Sequence, residues 1–185
     1  ETKAAAAAEA ASRAELELRH GTTVAQDLFF RAIEPHPDDY RQDYVDRILA
    51  IAAMCDRHGV QTLVDFHQDA YSKEIGEDGA PLWAIVPAPT MLLEGPLHDL
   101  EARRASQQVN DAFDTFFSNS AGGWEHFSEM AAWVARRIDG KPGILGLELY
   151  NEPIIYFNDE TLHLFHTHVL EEVRAVAPNL TVFFE

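Results

Sequence analysis

Asn151 and Glu152 stand side by side where a short apolar run stops, Ile144-Leu145-Gly146-Leu147-Glu148-Leu149-Tyr150-Asn151-Glu152-Pro153. Lys141-Pro142-Gly143 precedes the run and Pro153 closes it, so the spacing predicts a buried strand with a hard stop. Pro153 predicts extended geometry for Glu152, with the side chain projecting off the strand end. A carboxyl at the mouth of an apolar sheet is partly desolvated, which raises its pKa and lets it hold a proton near neutrality. That is the property of a general acid. Asn151 offers a donor and an acceptor suited to a sugar hydroxyl. A turn Asn and a solvated Glu fit the same residues equally well.

A second apolar strand also discharges polar groups, Thr62-Leu63-Val64-Asp65-Phe66-His67-Gln68-Asp69-Ala70-Tyr71. Asp65 and His67 are two apart and share a side, while Phe66 points away. His67 can donate from one ring nitrogen while a carboxylate orients the other, and Asp69 can accept a pair of hydroxyls. The structural alternative has a buried Asp65 paired with backbone and His67 stabilising the strand end. A metal hydrolase built on Asp65 and His67, or on His163, His166 and His168, is a third reading. Those three histidines are expected on the polar side of a helix, where His163 and His166 could share a face at i, i+3 but no third ligand at suitable spacing is evident, so no metal site and no cofactor are expected.

The elements that must position these groups follow from hydrophobic periodicity. Lys3 to Leu18 reads as a helix, Thr22 to Phe30 as a strand, Glu34 to Asp39 as a turn, and Tyr44 to Cys55 as a helix closed by His58-Gly59. Val60 to Phe66 is the next strand. A long segment from His67 to about Pro96 holds Gly, Pro and Trp83, and loops of this length are usually functional or disordered. Leu97 to Phe117 reads as one helix and Phe127 to Ile138 as another, after a break at Gly122-Gly123. Asn158 or Asp159 caps a helix striped by Leu162, Phe165, Val169, Val173 and Val176, and Leu180 to Phe184 is a strand. The alternation predicts an α/β fold, a single domain over residues 1–185 with four parallel strands and right-handed crossovers. In such sheets chemistry gathers at the carboxyl ends of the strands, where His67, Gln68, Asp69, Asn151, Glu152 and Glu185 fall.

Composition narrows the partners. With 14 Lys+Arg against 31 Asp+Glu the formal net charge is −17, which disfavours nucleic acid and anionic membrane surfaces. No run of about 18 apolar residues spans a bilayer. The single Cys55 excludes an internal disulfide framework, and its place on a helical stripe predicts buried filler. The sequence opens on Glu1-Thr2-Lys3 with neither an initiating Met nor a signal peptide, which suggests a missing N-terminus and leaves the compartment undecided.

Four motifs together resemble glycoside hydrolase family 5, nearest its endoglycoceramidase-like branch. They are Asp65-Phe66-His67-Gln68-Asp69-Ala70-Tyr71-Ser72, Gly79-Ala80-Pro81-Leu82-Trp83-Ala84, Leu149-Tyr150-Asn151-Glu152-Pro153 and Val182-Phe183-Phe184-Glu185. The resemblance runs from about Gly21 to Glu185. It implies part of a (β/α)8 TIM barrel, about strands two to five with their helices, and a retaining mechanism on β-glycosides, with a carbohydrate or glycolipid as substrate. It implies Glu152 as acid/base, Asn151 at the sugar 2-hydroxyl, His67 and Asp69 as substrate contacts, and Trp83 as a cleft wall or an apolar anchor. It also suggests secretion. Three features depart from the family pattern. The nucleophile expected after the seventh strand is absent, the first strand is missing, and Val24-Ala25-Gln26-Asp27 lacks the Arg usual at the second strand, with Arg31 too far on to replace it. A non-catalytic carbohydrate-binding or decayed remnant is the alternative these departures support.

Overall fold

The computed structural model describes residues 22–93, 99–154 and 159–184. The helix expected over Lys3 to Leu18, the possible cap Asn158 and Glu185 lie outside the described residues. In chain order come strand β1 (Thr22–Phe29), a one-turn helix α1 (Phe30–Ile33), α2 (Gln42–Asp56) and β2 (Val60–His67). A 3-10 turn at Leu82–Ala84 interrupts the long loop, followed by α3 (Leu100–Arg104), α4 (Gln107–Phe117), α5 (Gly123–Ile138), β3 (Ile144–Glu148), α6 (Asp159–Val176) and β4 (Val182–Phe183).

All three strand pairs are parallel, and the order across the sheet is β1-β2-β3-β4. A doubly wound sheet reverses strand order at a switch point, and this one does not. Strands laid down one after another in one direction are the wall of a (β/α)8 barrel, of which four are present among the described residues. Register sets the two faces. Phe66 and Leu28 are paired and buried, and Phe66 meets Phe127 of α5 at 5.5 Å between ring centroids. On the alternate positions Asp27, Asp65 and Glu148 lie side by side across three strands. His67 lies two residues beyond Asp65, opposite Phe29.

Helix packing supplies the rigidity behind the strand ends. Phe127 and Phe165 lie 5.5 Å apart, and each also meets Phe116 and Tyr150 within 6 Å. Each favourable aromatic pair adds about 0.5–1.5 kcal/mol beyond its buried area. Tyr150 therefore ties the end of β3 to α4, α5 and α6, one residue before Asn151.

The expectations are corrected in four places. Phe30 begins a helical turn instead of ending β1. The helix expected over Leu97 to Phe117 is two, because Ser106 leaves the helix and its hydroxyl accepts from the backbone N–H of Val109 to cap α4. Cys55 is half-buried, not core filler. His166 lies in the core of α6 instead of on its polar side, 7% exposed and against Phe165 and Phe184.

Candidate active site

The carboxyl ends of β2 and β3 are fastened to each other by one buried side chain, Gln68. Its amide nitrogen donates to the backbone carbonyls of Asn151 at 2.7 Å and Glu152 at 2.8 Å, and its amide oxygen accepts from the backbone N–H of Tyr71 at 3.0 Å. Asn151 returns the contact, its side-chain nitrogen donating to the carbonyl of Gln68 at 3.1 Å and its backbone N–H to that of Phe66 at 3.1 Å. The two polar constellations thus form one unit. Sequence reading had passed over Gln68 as a link, although its place between His67 and Asp69 marked it as another strand-end polar group.

Glu152 does not adopt the extended geometry expected of a residue before proline. Its φ is +42°, in the left-handed region. The Gln68 amide draws the carbonyls of residues 151 and 152 toward one point, which curls the chain here against its local preference. Glu152 is also exposed, contrary to the desolvation expected of it. Four parallel strands make an arc, and an arc does not wall off the mouth as a closed barrel does.

His67 is oriented by Asp65, whose carboxylate lies 2.8 Å from Nδ1. This geometry places the proton on Nδ1 and leaves Nε2 for a ligand. Burial pulls the imidazole down, but the hydrogen bond and charge of Asp65, helped by Asp27 and Asp69, outweigh it and leave the pKa above its ordinary 6.5. Phe29 closes one side, edge-on to the imidazole at 5.7 Å.

Asp69 is committed to the loop that follows. Arg104 of α3 donates to both of its oxygens, at 2.9 and 2.5 Å, and Asp69 and Asp78 exchange a pair of backbone hydrogen bonds at 2.9 Å. Burial pushes the Asp69 carboxyl up, but Arg104 and a hydrogen bond from Glu77 outweigh it and hold it below the usual range. Arg31 forms the parallel clamp on Asp78, at 2.6 and 2.9 Å. Trp83 sits under the same loop, its indole N–H donating to the carbonyl of Glu34 at 3.2 Å and its ring edge-on to Phe30 and His126. It lines a cavity of about 170 Å³ together with Tyr71, Val86, Phe116 and His126.

Among the described residues, two clusters bring three possible ligand atoms within 4.8 Å of one another: Asp27, Asp65 and His67, and separately Glu34, Asp38 and His126. The histidines of α6 are in neither. His168 faces the Ser128 hydroxyl at 3.3 Å, and His163 is exposed. The second cluster was invisible in sequence because 88 positions separate Asp38 from His126.

A parallel, singly wound sheet with a Glu, an Asn and a carboxylate-oriented His at adjacent strand ends has the layout of a (β/α)8-barrel wall with polar groups on its carboxyl-terminal rim. The family model for cellulase (glycosyl hydrolase family 5) matches residues 21–185, and the chain belongs to that family. It is 30% identical over 181 residues to endoglycoceramidase I of Rhodococcus hoagii (strain 103S), covering 91% of this chain and 36% of that protein. A Hydra vulgaris endoglycoceramidase is 23% identical over 139 residues, covering 64% of this chain and 27% of its own length. Endo-glycoceramidase II from Rhodococcus sp. superposes with a TM-score of 0.77 at 26% identity, covering 94% of this chain and 42% of that one. The chain therefore spans well under half the length of these relatives. Among the described residues no helix is long and apolar enough to cross a membrane.

Proposed function

We propose that this chain forms the acid/base side of a retaining β-glycosidase that acts on glycolipids. The observation that carries the reading is the Gln68 link, which ties the backbone at Asn151 and Glu152 to the strand end that carries the Asp65-oriented His67. Glu152 protonates the departing glycosidic oxygen while a carboxylate attacks the anomeric carbon, and then takes a proton from the water that releases the sugar. Asn151 holds the 2-hydroxyl, His67 contacts the sugar and Trp83 backs the cleft, while Asp69, both of whose oxygens are held by Arg104, fixes the loop beside them. Retention needs a second carboxyl about 5 to 5.5 Å from the first, and the family resemblance assigns that nucleophile to the seventh strand. The glycolipid assignment draws on the Rhodococcus sp. enzyme, 25% identical and solved with ganglioside GM3.

The test is Glu152→Gln in the full-length protein, assayed on a glycosphingolipid and on a dinitrophenyl β-glycoside. General acid catalysis contributes about 10²- to 10⁴-fold, and the loss of kcat/KM should appear on the glycolipid and shrink on the aryl glycoside, whose leaving group needs no proton. An equal loss of kcat/KM on both substrates, or no loss, overturns the role given to Glu152.

A further inference from the structure

The loop after β1 and the helix α5 meet at a group of side chains that the glycosidase reading leaves unused. Glu34 follows α1 and is fully buried, with 0% exposure. One carboxylate oxygen accepts from the backbone N–H of Asp38 at 2.7 Å, while the other is buried without a hydrogen-bond partner among the described residues. Nδ1 of His126 is likewise buried and unpartnered. One oxygen of Glu34, one of Asp38 and one imidazole nitrogen of His126 lie within 4.8 Å of one another. A buried carboxylate oxygen without a partner is costly, and it is relieved either by taking up a proton or by a group that satisfies it.

We infer that Glu34, Asp38 and His126 form a binding site for a divalent cation of the zinc type. Two carboxylates and a neutral imidazole match that donor preference, and their two negative charges balance the ion. Tetrahedral ligands at about 2.0–2.1 Å stand roughly 3.4 Å apart. Each pair of atoms must therefore close by at most about 1.4 Å from the 4.8 Å limit, a movement shared between the exposed Asp38 side chain and the half-buried His126 ring. Three protein ligands leave a fourth position for water. The ion joins the β1 side of the sheet to α5 at a point directly against Trp83, which bonds the Glu34 carbonyl and packs on the His126 ring. Its role is to fix the loop that carries Trp83.

The experiment is calorimetric titration of the full-length protein with Zn²⁺ after chelator treatment and dialysis, with thermal unfolding followed in parallel. The expected result is one saturable site whose filling raises the melting temperature. Asp38→Asn keeps the left-handed backbone at φ +66°, and it and His126→Gln should each weaken binding about 10- to 100-fold while the chain stays folded. His163→Gln, on the exposed face of α6, should leave binding unchanged. Absence of a saturable site overturns the inference, as does binding that survives both variants. So does binding lost in Asp65→Asn but retained in Asp38→Asn, which would place the ion at the other cluster. The reading of Glu152 stands or falls separately.

Discussion

Replacing Gln68 by Ala should loosen the site and destabilise the fold together. The side chain is 5% exposed and makes three hydrogen bonds, at 2.7, 2.8 and 3.0 Å, that Ala cannot replace. At about 0.5–1.5 kcal/mol net for each, their loss amounts to roughly 2–4 kcal/mol. The contact from Asn151 to the backbone carbonyl of residue 68 survives, so β2 and β3 stay paired while the turn holding Glu152 is released. A misplacement of about 1 Å at a reacting group can cost on the order of 10² in rate. The assays are the urea midpoint and kcat/KM on a glycosphingolipid, both in the full-length protein. Gln68→Glu supplies a pH control. Ionised, its carboxylate repels the two carbonyls, and burial raises its folded pKa, so that variant's stability should be greatest at acid pH and be lost as pH rises through that value. A Gln68→Ala protein within about 0.5 kcal/mol of the parent, with full activity, would refute the role assigned to the link.

Two further outcomes follow from the same geometry. His67 should titrate above 6.5 by NMR, and Asp65→Asn should lower the midpoint. Because the folded pKa is raised, the stabilisation is complete below 6.5 and is lost as pH rises through the folded value. Asp65→Asn should therefore cost more stability on the acid side of 6.5 than on the alkaline side, and equal cost on both sides would show that His67 does not draw on Asp65. Gly79→Ala should destabilise by about 2 kcal/mol or more, because its Cβ would lie 2.5 Å from the Tyr71 carbonyl oxygen at φ +133°. Gly140→Ala, at φ +65° in open space, should cost only about 1–2 kcal/mol from backbone conformation. Denaturant midpoints compare the two, and equal costs would mean that the loop is not packed on the β2 end as described.

The sheet was legible because β2, β3 and β4 are short apolar runs opened by punctuation that has a physical cause: Gly59 before β2, Pro142-Gly143 before β3, Pro178-Asn179 before β4. Parallel order followed from the helices between them. Side-chain commitments were less accessible. Asp69 reads as a hydroxyl acceptor until Arg104, 35 positions away, is seen to hold both of its oxygens. The α3–α4 break was hidden because Ser106 sits inside an otherwise helical pattern, where a cap and a polar helical residue look alike. His166 is apolar in context only because Phe165 and Phe184 flank it, and no period reports a ring contact of that kind.

Local preference fails most clearly around Gln68, and the failures share a cause. Ala70 at φ +54°, Tyr71 at +72° and Glu152 at +42° are all non-glycine residues in the left-handed region. Two of the three are bonded directly to the Gln68 amide, Tyr71 through its N–H and Glu152 through its carbonyl. Each such residue costs about 1–2 kcal/mol, which the fold tolerates only where the surroundings fix the conformation. Here they do: Tyr71 is buried, with its hydroxyl donating to the Ala84 carbonyl at 3.0 Å, and the Gly79 backbone lies against Tyr71. Backbone strain held by buried contacts keeps the turn in one conformation. On the role proposed for Glu152, a carboxyl that gives up a proton in one step and takes one back in the next has to occupy the same place both times.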